Sequence, residues 1–465
     1  MVSASEQLAR NINWGTFSKA KELQQRLLFT LLVLFIYRIG TYIPVPGVNV
    51  DYFAQTMDGN VLGERLGFFS GGAVDRMAVF ALNVMPYISA SIIMTLMKGS
   101  IPSLKELDKE GQQGRKQINQ YTRYLTVFLA VFQAYGIARW LEGSTATITV
   151  DFTEIAVPVV ANPGLFFEAS TVVTLVGGTM FLMWMGEQVT ARGVGNGVSL
   201  IIFAGIVAEL PRAIGQILQL GEDISNTELG GIIFLFIALS VLIVFVERAQ
   251  RRLLVQYPKR QMAGGKTFGG ESSFMPLKLN TPGVIPPIFA SALLMLPVTA
   301  GQIMLSNQTS GGGEASGWLT QMMAWLGYGQ PVYLVLYGLM IIFFCFFYVP
   351  YVFKPDDVAD NLRKNGGFLP GIRPGARTAQ YLSYVLSRLT FIGALYVAFV
   401  CVLPEILINQ IGNVPTSVAM LIGGMSLLII VSVTLDTVSQ IQSHLIAHQY
   451  EGLIKKSRMR RRSKK

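Results

Sequence analysis

The sequence predicts an all-α polytopic membrane protein with ten transmembrane helices. Hydrophobic residues make up 51% of the chain and charged residues 14%, whereas soluble domains carry about 25% charged residues. Ten apolar runs approach the length of about 20 residues that crosses the hydrocarbon core of a bilayer. Basic residues are concentrated in alternate loops, as membrane topology requires. The runs cover residues 24–43, 77–97, 120–140, 170–190, 198–217, 231–250, 285–305, 332–353, 385–407 and 416–437.

Lysine and arginine are concentrated at both ends of the chain and in every second loop. Cytoplasmic loops of membrane proteins carry an excess of these residues, so both termini are predicted to be cytoplasmic. That orientation requires an even number of spans, and ten spans satisfy it. All but five of the 37 basic residues follow this distribution, and the exceptions are Arg38, Arg65, Arg76, Arg139 and Arg212.

Two of the basic loops, residues 247–280 and 353–388, are longer than a connection between two helices needs. Together with a basic tail at 455–465, they concentrate the net charge of +10 on one face. One interpretation is topology determination together with contact with anionic lipids. The other is that the two long loops form a docking surface for an acidic or RNA-containing partner.

The chain divides near residue 220 into two halves of five spans each, residues 1–219 and 220–465. Because five is an odd number, the halves must have opposite orientations, which is the inverted-repeat arrangement of many transporters. The functional site of such proteins lies between the repeats, near the middle of the membrane. No clear residue-level repetition relates the halves, so this repeat is inferred from the span count alone.

The stretch of residues 67–98 begins like a membrane segment and then breaks. Its break contains Phe68, Phe69, Ser70, Gly71, Gly72 and Asp75. Charge, paired glycines and the proline at position 86 are costly in a lipid-facing helix, but are tolerated where irregular backbone lines a cavity inside the protein. A half-helix that enters the membrane and stops therefore predicts a plug, a filter or a substrate site.

The remaining motifs favour a channel over a coupled transporter or an enzyme. No acidic residue lies clearly in the middle of a span, since Glu187 and Asp436 are near span ends, and ion-coupled transporters usually need such a carboxylate. The sequence offers no nucleophile–base pair and no metal-binding cluster, so neither an enzyme nor a cofactor is expected. The alternatives are a secondary transporter with inverted repeats, which is less favoured, and a purely structural scaffold, which leaves the break in the 67–98 stretch unexplained.

Several spans carry β-branched apolar residues beside small ones. These apolar residues are Val84, Ile88, Val198, Ile202, Ile288 and Ile429. Pattern alone favours ordinary helix packing, in which small residues allow a close approach. If the same side chains converged, they would instead form a hydrophobic constriction that seals by dewetting.

Seven segments resemble, in order, those of the SecY family of bacterial protein-conducting channels. They are FSGGA at 69–73, MPYISASII at 85–93, FLMWMGEQVTARGVGNGVS at 181–199, FVERAQRR at 245–252, PLKLNTPGVIPPIFASA at 276–292, IFFCFFY at 342–348 and ADNLRKNGGFLPGIRPG at 359–375. The resemblance covers essentially the whole chain. It implies two five-helix halves that close like a clamshell around a central pore.

The resemblance also implies roles for four groups of residues. A plug on the outer side would occupy about residues 63–75, and the six apolar residues given above would form the pore ring. The spans 77–97 and 285–305 would form a lateral gate, beside 120–140 and 332–353. Residues assigned to the gate are Ser89, Ser91, Ile92, Gln133, Ile285 and Ser291. Residues assigned to partner docking are Lys259, Arg260, Lys266, Arg363, Lys364 and Arg373.

The partners implied by the resemblance are SecE and SecG in a heterotrimer, the SecA ATPase, a translating ribosome, secretory and membrane-protein precursors, and anionic lipids. No direct DNA binding is implied, and the expected location is the bacterial inner membrane. The sequence departs from the family at several positions, among them Thr95, where the family often has glutamine. Asn83 stands where the family often has glycine, and the loop tip at 263–266 retains one basic residue where paired basic residues are common.

Overall fold

The computed structural model describes residues 20–57, 67, 70–150, 153–220, 226–257, 260–261, 267–268, 272–310, 317–326, 330–411 and 423–462, most of them in helices. The chain forms two compact units. The first contains Met1–Gly215, Ser306–Gly313 and Ile429–Lys465, and the second contains Gln216–Leu305 and Glu314–Leu428. The predicted relation of the two sequence halves by an inverted repeat stays a prediction.

The first unit combines long helices with shorter elements in their connections. The elements in chain order are α1 Lys21–Gly40, α2 Val50–Met57, α3 Met85–Ser100, α4 Pro102–Lys109, α5 Gln112–Gly143, β1 Thr145–Val150, β2 Thr153–Pro158, α6 Leu165–Arg192 and α7 Gly197–Leu220. Strands β1 and β2 form an antiparallel hairpin in which Thr145 lies opposite Pro158. The end of α7 passes into the second unit.

The second unit contains the remaining helices and a longer hairpin. Its elements are α8 Asn226–Arg248, β3 Gln250–Gln256, β4 Arg260–Gln261, β5 Thr267–Phe268, β6 Ser272–Lys278, α9 Ile285–Ser310, α10 Gly317–Trp325, α11 Pro331–Val352, α12 Pro355–Lys364, α13 Ala376–Ile411 and α14 Gly424–Arg462. Strands β3 and β6 are antiparallel, with Gln250 opposite Lys278. Helix α14 begins here and joins the first unit from Ile429 onward.

Each of the ten predicted spans contains a helix. Within the described residues, eight helices are long and apolar enough to cross a membrane, namely α1, α5, α6, α7, α8, α11, α13 and α14. The other two predicted spans correspond to α3, which has 16 residues, and α9, which has Pro297 in its interior. The fold is therefore that of an all-α polytopic membrane protein.

The long helices expose apolar faces that suit lipid rather than water. On α1, Leu28 and Phe35 are 68% and 67% exposed, whereas Val33 and Tyr37 on the other face are buried. Exposure of a continuous apolar face to water costs about 25 cal/mol per Å². A hydrocarbon surrounding removes this cost, so the exposed face of α1 is a lipid-facing surface.

Helix α5 packs through small and β-branched residues. Its buried positions recur mainly every fourth residue, and they include Gly114, Ile118, Thr122, Thr126, Ala130, Ala134 and Ala138. This stripe faces α3, α4 and α6, against which α5 packs. Membrane helices use such residues because they allow close backbone approach without a hydrophobic driving force.

The predicted span at 77–97 starts eight residues too early. Residues 71–84 form a series of turns, and the helix begins only at Met85. Met77 and Asn83 have φ values of 43° and 50°, which a helix cannot contain. Pro86 lies in the first turn of α3 rather than in its middle, where its missing N–H leaves no helical hydrogen bond unmade.

Candidate functional site

Residues 70–84, called the turn segment below, are held against α1 by hydrogen bonds to their backbone. The Tyr37 hydroxyl donates to the Ser70 carbonyl oxygen at 3.0 Å, and Arg38 Nη1 donates to the Gly71 carbonyl oxygen at 2.6 Å. Within the segment, the Val74 N–H donates to Ser70 Oγ at 3.2 Å. The buried Ser70 thus closes a turn whose carbonyl groups are satisfied by α1.

The paired glycines bring the turn segment against α7. Gly71 and Gly72 have φ values of 68° and 75°, in the left-handed region that favours glycine. A Cβ atom on Gly71 would lie 3.1 Å from the Gly205 Cα atom, and one on Gly72 would lie 2.7 Å from Glu209 Oε1. A side chain at Gly71 would therefore press on the backbone of α7, and one at Gly72 would displace the Glu209 carboxylate.

Gly71→Ala is expected to destabilise the protein more than Gly283→Ala. Both glycines have nearly the same φ, 68° and 67°, but the space around Gly283 is open within 4 Å. Each alanine incurs the left-handed backbone penalty of about 1 kcal/mol, and only Gly71→Ala also meets the backbone of α7. Thermal unfolding of the purified protein in detergent measures the difference, and equal losses for the two variants would contradict the close packing on α7.

Charged side chains surround the turn segment. Asp75 Oδ2 lies 3.0 Å from Arg212 Nη1, and Glu209 Oε2 lies 4.0 Å from the same nitrogen. The Arg76 guanidinium lies 4.1 Å from the centre of the Tyr42 ring. Glu209 lies near the middle of the predicted span 198–217 and is only 8% exposed, so the expectation that no acidic residue lies clearly in the middle of a span is wrong. Its proximity to arginine explains how it can be buried.

The backbone conformation of Asn83 explains why asparagine can replace the glycine that is frequent in the family. Its φ of 50° is in the left-handed region, where asparagine is among the most tolerated residues other than glycine. Its Oδ1 atom accepts a hydrogen bond from the Val84 N–H at 2.8 Å, and the side chain is buried. Asparagine therefore preserves the backbone shape that glycine allows and adds a hydrogen bond at the start of α3.

Five of the six predicted ring residues lie in the first unit. Val84, Ile88, Ile202 and Ile429 are buried, and Val198 is half-buried. Val84 ends the turn segment, and Ile88 follows one helical turn later in α3, where its N–H donates to the Val84 carbonyl oxygen. Ile288, which is half-buried, belongs to the second unit. The ring as a whole stays a prediction.

The predicted gate residues lie on three helices, α3, α5 and α9, and four of the six are polar. On α3, Ser89 and Ile92 are buried and Ser91 is half-buried. Gln133 on α5 is half-buried, as are Ile285 and Ser291 on α9. The Ser291 hydroxyl donates to the Ile288 carbonyl oxygen at 2.9 Å. Their role in a lateral gate stays a prediction.

The two predicted docking loops form one structure within the second unit. The backbones of Gln256 and Phe368 exchange hydrogen bonds of 2.9 and 3.0 Å, which joins strand β3 to the second loop. A shared apolar core lies beneath, made by Leu253, Val255, Leu277, Leu369, Leu382, Val385 and Leu389. Each loop is thereby held in shape by the other, a relation that the sequence analysis missed.

The described basic residues of this double-loop structure point outward. Arg363, Lys364 and Arg373 are exposed, and Arg363 forms an ion pair of 3.7 Å with Asp360. Lys259 and Lys266 lie outside the described residues, as do Phe68 and Phe69 of the predicted plug. Arg260 lies in β4, but its side chain is not described.

These features define a polytopic α-helical membrane protein. The fold matches a solved protein-conducting channel with a TM-score of 0.60 at 17% identity over 91% of this chain and 92% of that chain. It matches a solved SecY protein, whose plug domain stabilises the closed state of the translocation channel, with a TM-score of 0.64 at 18% identity over the same shares. It also matches Sec61 of a canine ribosome–channel complex, with a TM-score of 0.56 at 18% identity, again over 91% and 92%.

The chain belongs to the SecY family, whose family model matches residues 78–438. Protein translocase subunit SecY of Rickettsia typhi is 47% identical over 455 residues, which are 96% of this chain and 99% of that relative. SecY of Escherichia coli strain K12 is 45% identical over 444 residues, or 94% and 95% of the two chains. The family resemblance of the sequence segments is therefore confirmed.

Proposed function

We propose that this chain is the central protein-conducting channel of a Sec translocase. It passes unfolded, signal-bearing polypeptides across the membrane and releases apolar segments into lipid through a lateral gate. The relatives at 45–47% identity are translocase subunits, and shared family membership over nearly the whole chain supports the same activity here. A channel of this kind needs no catalytic group, because a partner supplies the driving work.

One observation carries the proposal. The turn segment is seated on α1 and α7, ends at Val84 and leads directly into α3, which bears Ile88. Irregular backbone at membrane depth is tolerated where protein or a cavity surrounds it. This combination of a compact non-helical segment and buried β-branched residues supports a plug beside a hydrophobic pore ring.

An apolar ring suits an unfolded substrate. It excludes water and ions by dewetting, but it forms no specific hydrogen bonds to a passing side chain, so many sequences can pass. A segment that is apolar enough can leave sideways, because leucine, isoleucine, phenylalanine or valine each gains a few tenths of a kcal/mol in the membrane. The gate residues on α3, α5 and α9 are the proposed exit.

The double-loop structure is the proposed docking surface for a SecA-type ATPase or a translating ribosome. Exposed Arg363, Lys364 and Arg373 project from a backbone that is fixed by the Gln256–Phe368 pairing. Guanidinium groups bind carboxylates and phosphates well, so acidic protein and RNA are both suitable partners. SecE and SecG are the proposed membrane partners, and anionic lipids the proposed contacts of the remaining basic surface.

The proposed location is the bacterial inner membrane, with both termini cytoplasmic. The distribution of basic residues supports this orientation, since 32 of 37 lie in the termini and alternate loops. The secondary-transporter alternative is less favoured, because the one buried carboxylate of α7, Glu209, is near arginine rather than free to bind a coupling ion.

Translocation of a signal-bearing precursor tests the proposal directly. Proteoliposomes containing this chain with SecE and SecG receive SecA, ATP and precursor on the outside. Precursor that becomes protected from protease only when ATP and this chain are present is the expected result. Absence of protection in vesicles verified to contain all three subunits, together with saturable uptake of a small solute, would favour the transporter instead.

A further inference from the structure

Five charged side chains from three parts of the first unit form a connected group, three of them beside Gly71 and Gly72. This charge cluster consists of Arg38 on α1, Asp75 and Arg76 on the turn segment, and Glu209 and Arg212 on α7. No catalytic or docking role accounts for it. It lies entirely within one compact unit.

The cluster clamps the paired glycines from two sides. Arg38 donates to the Gly71 carbonyl oxygen at 2.6 Å from the side of α1. A Cβ atom built on Gly72 would lie 2.7 Å from Glu209 Oε1 and 3.2 Å from Arg76 Nη2. Opposite charges therefore converge on a backbone position that has no side chain to separate them.

Arg212 connects the turn segment to α7. Its Nη1 atom lies 3.0 Å from Asp75 Oδ2 and 4.0 Å from Glu209 Oε2, so one guanidinium serves both carboxylates. Glu209 is buried, and a buried carboxylate that loses its cationic partner is strongly unfavourable. The Arg212 side chain is 55% exposed and the Asp75 side chain 25% exposed, which keeps this ion pair modest in strength and breakable.

Two arginines also share one aromatic ring. The guanidinium carbon of Arg38 lies 4.9 Å from the centre of the Tyr42 ring, and that of Arg76 lies 4.1 Å from it. Cation–π contacts of this kind orient guanidinium groups without neutralising them. Tyr42 thus helps to keep both arginines beside the glycines, where they compensate Glu209.

We propose that Arg212 and the charge cluster are the positioning device that holds the turn segment in its closed place and sets how readily it is displaced. The inference rests on the proposed function, in which residues 70–75 of the turn segment belong to the plug. An apolar contact alone would hold the segment regardless of charge. If the ion pair between Asp75 and Arg212 holds the segment, its displacement depends on the signs of the charges at positions 75 and 212.

The test uses cysteine labelling together with charge reversal. The chain has two cysteines, Cys345 and Cys401, and both are buried. Ser70→Cys adds a third thiol at a buried position of the turn segment. In the assembled complex, adding Arg212→Glu is expected to raise the labelling rate at position 70 about tenfold, which corresponds to a loss of about 1.4 kcal/mol. Restoring opposite charges with Asp75→Arg and Arg212→Asp together is expected to lower the rate again, but only in part, because an acidic residue at position 212 repels the neighbouring Glu209.

Two controls separate positioning from general loosening of the fold. Labelling of Cys345 and Cys401 must stay slow, because global destabilisation would expose them as well. Arg139→Glu breaks a comparable ion pair, 2.9 Å from Glu168 in the same unit, and should leave labelling at position 70 unchanged. A rise without rescue by the charge swap, or no rise at all, would overturn the inference.

Resting ion conductance, measured on the same variants in planar bilayers, separates this inference from the proposed function. Raised labelling together with raised conductance supports both. Raised labelling that the charge swap lowers again, with conductance unchanged, supports the positioning role and counts against the plug assignment. Unchanged labelling overturns the positioning role whatever the conductance is.

Discussion

Ile88→Ser is expected to make the closed channel leak ions. The side chain is buried near the start of α3, one turn after Val84, and a hydrophobic constriction excludes ions because water inside it is unfavourable. A hydroxyl group in the ring stabilises water there. If this lowers the barrier to ion passage by about 1.4 kcal/mol, the resting conductance rises about tenfold. Single-channel recording in planar bilayers, without precursor or partner, measures it.

The matched control is Ile118→Ser on α5. Ile118 is as deeply buried as Ile88, but it packs with Met94 and Leu104 in a separate apolar cluster. Both substitutions remove a buried isoleucine and are expected to cost about 2–5 kcal/mol of stability. If both variants raise the resting conductance, the leak is caused by loosened packing. If neither variant raises it, Ile88 does not belong to the pore ring. Ile202→Ser and Ile429→Ser are expected to behave like Ile88→Ser.

Most spans could be predicted from the sequence because a membrane helix requires a long continuous run of apolar residues. About 20 successive apolar residues are needed whatever the tertiary structure is. The prediction was wrong at residues 77–84, where composition is as apolar as in the following helix. The positive φ values of Met77 and Asn83 decide the conformation there, and hydropathy contains no information about backbone angles. Pro86 could have indicated the start of the helix, because proline is favoured in the first turn.

Contacts between distant parts of the chain account for what the sequence analysis missed. Asp75 and Arg212 are 137 residues apart, and neither is unusual in its local sequence. Gln256 and Phe368 pair with each other, although they belong to two different basic loops. The distribution of charge identified both loops but could not predict that they pair. The alternation of buried Leu253 and Val255 in β3 is a weak strand signal, and it could have indicated a hairpin in the first loop, although not its partner.

Arg373→Glu is expected to abolish most partner-driven translocation while the protein still assembles. The Arg373 side chain is exposed, whereas its backbone carbonyl oxygen is held by the Thr378 hydroxyl at 3.0 Å and the neighbouring Ile372 packs on the apolar core of the double-loop structure. The charged end is thus presented on a rigid support. Loss of a charge-assisted contact worth about 1.5–3 kcal/mol weakens partner binding about tenfold to a hundredfold. ATP-dependent protection of a precursor in proteoliposomes, and affinity for the soluble partner, both report this loss.

Arg377→Glu is the matched control for Arg373→Glu. Arg377 is also exposed, lies four residues later at the start of α13, and undergoes the same change of charge. If the net charge of the surface were what attracts the partner, both variants would lose affinity to a similar degree and both losses would fall as salt is added. If Arg373 binds a specific carboxylate or phosphate group, only Arg373→Glu shows a large loss at physiological salt. A poor yield of intact complex for Arg373→Glu alone would instead assign the residue to folding, because partner binding cannot affect purification of the channel by itself.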